Sequence, residues 1–312
     1  MIDTVNLRLT AAEAEGVSFI DEIPRYLTDV GTHQYSSGEV LITGKLNGLT
    51  VTANRWEMKV KDGSLCKWYL GNNYKAMSRG DVQRAFERLS DELHQPMSLA
   101  AVTRLDVGCT LITQFPVAVY INHLGGLAWA QRLRQPDSVY YKKRDEVLCF
   151  YDKNKEQRAT GEAVPDLYRD RNVIRYEQRF VHRLASVLRV PKVTAATLYD
   201  DGFYIAMLKR WRDTYNAIEK INDIHFNFMV MKGVKSMNRF GLLALVEIAG
   251  GEIAMLDQID EARRRGELTK KEAHDMKQAV KRACRVQEGV SVQSEAVKEL
   301  TRKITEAVRN YR

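Results

Sequence analysis

Cysteine is sparse: four residues in 312, at 66, 109, 149 and 284, with no CxxC pair. That removes a disulfide framework and the cysteine-rich zinc sites. Three of the four stand in strand-like segments, where a free thiol serves as a small buried hydrophobe, a pattern that suits a reducing cytoplasm. The six histidines, at 33, 94, 123, 182, 225 and 274, stand apart in the chain. None forms a His-x-His pair on a strand or an HExxH on a helix, so zinc held by paired histidines is excluded. A lone histidine such as His182 reads as structural. No GxxxxGK[ST] loop occurs, which leaves a phosphate-cradling nucleotide site unsupported. Long apolar runs are missing too. The most apolar stretch, 240–256, is broken by Glu247 and Glu252 and is too short to cross a bilayer. The opening MIDTVNLRLT goes straight into strand-like alternation without a basic-then-apolar leader. A soluble, cytoplasmic protein is expected, without a membrane partner.

What remains is ordinary in amount and unusual in placement. Hydrophobic residues make up 45% and charged residues 28%, enough for one large core or two smaller ones. Lys plus Arg total 48 against 40 Asp plus Glu, a net +8 that favours a polyanionic partner without requiring one.

The first half reads as strands. Residues 40–54 alternate around Asn47-Gly48, and 56–70 around Asp62-Gly63; both dipeptides favour tight hairpin turns. Between 78 and 93, Val82, Phe86, Leu89 and Leu93 fall at helical spacing behind a Ser78 and Asp81 cap. Residues 118–133 look helical after Pro116, followed by strands at 138–142, 146–153 and 173–183. From Tyr199 onward helix dominates: a stripe of Tyr204, Leu208, Trp211 and Tyr215, then 253–265 and 269–286, then a last helix from Ser294. Thr269 and Glu272 spell a capping box. No Pro- or Ser-rich linker appears, so a boundary near 220 rests on the change from mixed to all-helical pattern. The fold class expected is α+β: an antiparallel-sheet catalytic domain over 1–219, then a smaller all-helical C-terminal domain over 220–312.

Two short segments carry the chemistry, VTRLDVGCTL at 102–111 and VIRYEQRFVH at 173–182. Strand alternation puts Arg104 and Asp106 on one face, and Arg175, Glu177 and Arg179 on one face. If those faces meet, Asp106 and Glu177 offer the oxygen donors that Mg²⁺ or Mn²⁺ prefers. Spacing alone favours the plainer account, cross-strand ion pairs on a solvated face. Val147, Cys149, Tyr151 and Lys153 share a third strand face, and FYDKNKEQ closes that strand in a polar turn. Lys153 beside a carboxylate pair would pin a phosphate or assist proton transfer. Tyr140, Tyr141, Lys142, Lys143 and Arg144 form a cationic, aromatic patch suited to phosphates and stacked bases. The Arg triplet at 263–265 and the basic helix after Thr269 suit a second contact or a solvated helix face.

The opening MIDTVNLRL, the Arg-Leu-Asp of VTRLDVG, the FYDK turn and the Arg-Tyr-Glu-x-Arg of VIRYEQRF occur in an order that resembles the gene II/gene X family of phage and plasmid replication proteins. The likeness covers about 1–215, and related strands recur in small-plasmid initiators and relaxases. It implies a site-specific nickase that starts rolling-circle replication. A tyrosine would attack one origin phosphodiester with the help of a divalent metal, leaving a 3′ hydroxyl as primer. On that reading Asp106 and Glu177 hold the metal with Asp3 as a third ligand, and Lys153, Arg104 and Arg175 hold phosphate. The partners implied are origin DNA, single-stranded or hairpin, with host helicase and polymerase. The nucleophile departs from the small-plasmid pattern, because no tyrosine falls between Glu177 and Tyr199. Tyr215 is preferred and Tyr204 comes next, with Tyr199 just before that helix; all three equally suit a buried stripe. A non-catalytic origin-binding repressor and a conjugative relaxase are the alternatives, and the helix pair at 253–286 is compatible with a helix-turn-helix.

Overall fold

The computed structural model describes residues 1–221, 223–224, 233–285, 291–292 and 294–311. His225, Val286 and Arg312 lie outside the described residues. Ten strands form one sheet: β1 (Ile2–Thr10), β2 (Thr28–Gln34), β3 (Val40–Leu46), β4 (Leu49–Ala53), β5 (Glu57–Lys61), β6 (Ala101–Thr113), β7 (Gln131–Gln135), β8 (Ser138–Lys142), β9 (Glu146–Asp152) and β10 (Asn172–Phe180). Their order is β2-β3-β4-β5-β1-β6-β10-β9-β8-β7, and every neighbouring pair is antiparallel. The helices are α1 (Phe19–Glu22), α2 (Leu65–Leu70), α3 (Arg79–Leu93), α4 (Val117–Asn122), α5 (Lys153–Ala159), α6 (Leu184–Leu188) and α7 (Asp201–Asn216). They are followed by α8 (Val234–Ile248), α9 (Glu252–Arg264), α10 (Lys270–Cys284) and α11 (Glu295–Asn310). The α+β class with a helical C-terminal region is what the pattern led one to expect.

One face of the sheet is apolar. Leu105 and Val107 of β6, Phe150 of β9 and Tyr176 of β10 are buried on it, under the α7 stripe of Tyr204, Leu208, Trp211 and Tyr215. Tyr176 lies between two rings, 4.2 Å from Phe150 and 4.6 Å from Trp211 centroid to centroid, and its hydroxyl donates to the Trp211 carbonyl. Helix α11 joins the same core through Leu300, Ile304, Ala307 and Val308. Its Glu299 accepts from the Gln114 N–H at 3.2 Å and from the Tyr120 hydroxyl. Helices α8 to α10 close a separate small core of Val246, Ile259, Ala273 and Val280. The last strand of the sheet ends at Phe180 and α7 at Asn216, so position 220 falls after the helix that covers the sheet, while α11 returns to pack beneath it.

Several local expectations hold. Asn47 and Gly48 take φ of 47° and 93° and join β3 to β4 with Leu46 opposite Leu49. Ser78 and Asp81 form a reciprocal capping box at α3, as Thr269 and Glu272 do at α10.

Three differ. Asp62 takes φ 54° as a turn residue should, but the chain then enters α2, whose Ser64 cap accepts from Lys67 N. No return strand forms because β5 already has β4 and β1 on its two edges. The helix expected over 118–133 stops at Asn122, and 131–135 is strand β7 paired with β8. Gly125-Gly126 ends it. Gly125 donates to the Glu219 carbonyl at 2.7 Å, and a Cβ there would sit 3.0 Å from that oxygen. Finally, the FYDK strand ends at Asp152, whose side chain caps α5, so Lys153 begins a helix instead of ending a strand.

Candidate active site

Register decides whether the two Arg-x-acid strands meet. In the β6–β10 pair, Glu177 lies opposite Gly108 and Arg179 opposite Asp106. Opposed residues share a face, so Asp106 and Glu177 are diagonal neighbours on the face away from α7. Strand β9, on the other edge of β10, sets Cys149 opposite Glu177 and Tyr151 opposite Arg175. Gly108 makes the room. A Cβ on it would lie 2.8 Å from Glu177 Cγ and 3.0 Å from the Tyr176 carbonyl oxygen.

Charge is balanced inside this cluster. Arg104 holds Asp106 through two bonds, Nε to Oδ1 at 3.0 Å and Nη2 to Oδ2 at 2.7 Å. Arg179 binds Glu177 Oε2 with Nε at 2.8 Å and Nη2 at 2.7 Å, and its Nε lies 3.9 Å from Asp106 Oδ2. Arg175 binds Glu177 Oε1 and Asp3, and donates to the Asn73 carbonyl at 2.6 Å and to Thr110 at 2.9 Å. Tyr151 donates its hydroxyl to Glu177 Oε1 at 2.9 Å. The two carboxyls diverge. Burial pushes Asp106 up to about 6 against the pull of Arg104. Burial works to raise Glu177 as well, but Arg175 and Arg179 outweigh it and hold that carboxyl well below its usual range. The Tyr151 phenol is driven well above its ordinary value by burial and by the Glu177 charge.

The sequence-derived candidates are distributed unevenly. Asp106, Glu177 and Arg104 stand together as expected, and the Arg104 side chain is 37% exposed. Arg175 is in the cluster but only 2% exposed, so it braces carboxylates and offers nothing to an incoming phosphate. Lys153 is buried, donates to Glu156 at 2.6 Å and lies over the Tyr74 ring. Tyr204 and Tyr215 are buried on the α7 side of the sheet. The Tyr204 hydroxyl donates to the Met77 carbonyl at 2.9 Å and that of Tyr215 pairs with Thr301 at 2.9 Å; burial pushes the Tyr215 phenol up to about 12. The basic patch splits by strand alternation: Tyr140 and Lys142 face the cluster side, whereas Tyr141 is buried and donates to the Gly125 carbonyl at 2.8 Å. Lys143 is half-buried and Arg144 exposed beyond the strand end.

Tyr151, Arg179 and Gly108 are the residues that sequence reasoning left out of the site. Alternation already put Tyr151 and Arg179 on the right faces of their strands. Which strands lie side by side was the missing datum.

Carboxylates are suitable donors for Mg²⁺ or Mn²⁺. Here all six oxygens of Asp3, Asp106 and Glu177 accept from Arg104, Arg175, Arg179, Ser64, Asn73 or Tyr151. Acceptors left open nearby are amide oxygens, Oδ1 of Asn6 and of Asn73, buried without a protein donor. Among the described residues no three His, Cys, Asp or Glu side chains are arranged to hold a metal ion. As folded, the trio does not fit a cation. Nor, among the described residues, is any helix long and apolar enough to cross a membrane.

No curated protein matches the chain. A family profile does, over residues 1–203, which include β1, β6, β9 and β10 and every residue of the cluster. The ordered strands, the cluster they assemble and that match agree: the chain belongs to the phage replication-associated protein family defined by the N-terminal region of the gene II type of replication initiator.

Proposed function

We propose that this initiator nicks one DNA strand at its replication origin by tyrosine attack, with Tyr151 as the nucleophile. The observation that carries this reading is the Tyr151 hydroxyl bonded to Glu177 inside the arginine-rich cluster. A phenol held above its usual pKa stays protonated at neutral pH and needs a base within hydrogen-bond reach. Tyr204 and Tyr215 are buried on the far side of the sheet from the arginine cluster: the Tyr204 hydroxyl contacts the Met77 carbonyl and the Met1 amine, and that of Tyr215 pairs with Thr301.

Arg104 and Arg179 are the cluster cations that solvent reaches, with side chains 37% and 28% exposed. A scissile phosphate bound by both draws Arg179 from Glu177 and so raises the basicity of that carboxylate, which keeps Arg175 as its partner. Tyr151 Oη then attacks phosphorus and its proton passes to Glu177. The P–O3′ bond breaks, the 3′ oxygen takes a proton from water, and the 5′ phosphate stays on the tyrosine. Reversal rejoins the strand, because a phosphodiester has been exchanged for another ester. The 3′ hydroxyl primes synthesis, with host helicase and polymerase as the partners this reading implies. Dependence on Mg²⁺ or Mn²⁺ belongs to the reading as an expectation, and it requires Arg104 or Arg179 to leave its carboxylate.

The test is cleavage of supercoiled plasmid carrying the replicon that encodes the chain, with Mg²⁺, Mn²⁺ or EDTA. Nicking at one position, abolished in Tyr151→Phe and in Glu177→Ala but retained in Tyr215→Phe, supports the reading. Mass spectrometry would then find the 5′-phosphate adduct on the peptide containing Tyr151. An adduct on another tyrosine overturns the assignment. Tight origin binding with no nick under any cation favours the repressor, with the cluster as a structural ion-pair network. Nicking confined to a transfer origin would point to a relaxase.

A further inference from the structure

The sheet face that bears the cluster continues well beyond it. Register carries the face from Arg104 of β6 to Asn6 of β1, from Arg8 to Lys59 of β5, and from there to Thr52 of β4 and Thr43 of β3. On these strands the opposite side is closed: Ile42, Val51, Met58, Val60, Leu7 and Leu9 are buried. The near side is open. Lys45 is exposed, and the side chains of Arg8, Lys59 and Lys61 are 48%, 46% and 43% exposed. Beyond the cluster's own Asp3, the acids beside it are Glu57, engaged by Lys59 and by Arg8 at 3.8 Å, and Asp62 of the following turn, 3.7 Å from Lys61.

Two properties of this wing identify its occupant. It carries four cations with interleaved threonine hydroxyls, which is the complement of phosphate oxygens. It also carries no aromatic ring on the open face of β3, β4, β5 or β1, whereas single-strand tracks stack exposed bases on such rings. From β3 to β10 there are five strand steps, roughly 24 Å at about 4.8 Å each, which matches about seven base pairs at 3.4 Å per pair.

We infer that the open face of β3–β4–β5–β1 binds the backbone of duplex DNA, holding the double-stranded arm that flanks the strand entering the Tyr151 cluster. This rests on the nicking function for its location and on charge and surface chemistry for its ligand. Phosphate contacts position without reading bases, so the wing sets the distance from arm to cut and leaves sequence choice to other residues.

The test uses the full chain and fluorescence anisotropy with two probes. One is a hairpin with a stem of about 12 base pairs, roughly 40 Å long, and a tail of about 20 thymidines; the other is the tail alone. The variant is the triple substitution Lys45→Gln, Lys59→Gln, Lys61→Gln, all exposed and outside the cluster. Titrated between about 50 and 200 mM salt, wild type should favour the stemmed probe. The variant should lose about tenfold on it, with the slope of log K against log salt reduced by about 2.7, the value for three phosphates. Affinity for the tail alone should change by less than about twofold, the expectation for a surface that holds no single strand. Equal loss on both probes would mean a single-strand track and would overturn the duplex assignment. Unchanged affinity and slope would make the wing a plain solvated face. Neither probe is cleaved for the readout, so a failed nickase reading and a failed duplex reading are told apart.

Discussion

Glu177 accepts from two arginines and a tyrosine while almost entirely out of water. Removing its charge takes from the buried Arg175 one of its two carboxylate partners, Asp3 being the other, and from Arg179 its bidentate one, so Glu177→Gln should cost about 3–5 kcal/mol, read from urea midpoints at pH 7. Asp106 has the opposite sign. Its folded pKa of about 6 lies above the ordinary 3.8, so its proton-linked contribution is complete below the ordinary value and is lost as pH rises through 6. Asp106→Asn should therefore gain stability relative to wild type between pH 5 and pH 7. Glu177, with its pKa depressed, contributes above its ordinary carboxylate value and loses that contribution as pH falls below it. Urea midpoints that moved in parallel for both variants would contradict this division. At Gly108 the issue is space: Gly108→Ala should cost about 1–3 kcal/mol and, on the proposed function, slow nicking, since the added methyl meets the Glu177 stem and a carbonyl.

At the scale of elements, α11 is the telling case. Its apolar stripe belongs to the main core, beneath the same sheet as α7, with Glu299 bonded to the chain after β6. Leu300→Ala should lower the stability of the sheet and its covering helices by about 2–5 kcal/mol, as burial in that core requires. A variant that melted like wild type would mean that α11 is an appendage. The misread elements have a common cause. The pattern at 118–133 suits a helix and the one at 56–70 a hairpin until their neighbours are known. Gly125 lies against the Glu219 carbonyl, and β5 has no free edge. Tyr141 was grouped with its basic neighbours, yet alternation within β8 sends it into the core.

Across the whole molecule, two apolar clusters stand apart. Helices α8 to α10 pack on Val246, Ile259, Ala273 and Val280, while the sheet, α7 and α11 share the larger core. Local unfolding follows such units. Ile259→Ala should therefore raise hydrogen exchange in α8–α10 and leave amides of β6 and β10 protected. Loss of protection in both regions would show one cooperative unit. One side of the sheet is covered by α7 and α11, and its other side carries the cluster with the cationic wing.

The sequence by itself determined the strands other than β2 and β7, their faces, the caps of α3 and α10 and the family, because these depend on alternation, spacing and order along the chain. From the strand faces it could be said that Arg104 joins Asp106 and that Arg175 and Arg179 join Glu177. It could not be said that the two pairs lie diagonally on adjacent strands, that Tyr151 reaches Glu177, or that Tyr204 and Tyr215 lie on the far side. Those facts depend on pairing between segments dozens of residues apart, which only burial of the Leu105, Phe150 and Tyr176 face under α7 selects. A side chain's face is a local property of the backbone, and its neighbour across the sheet is a property of the closed core.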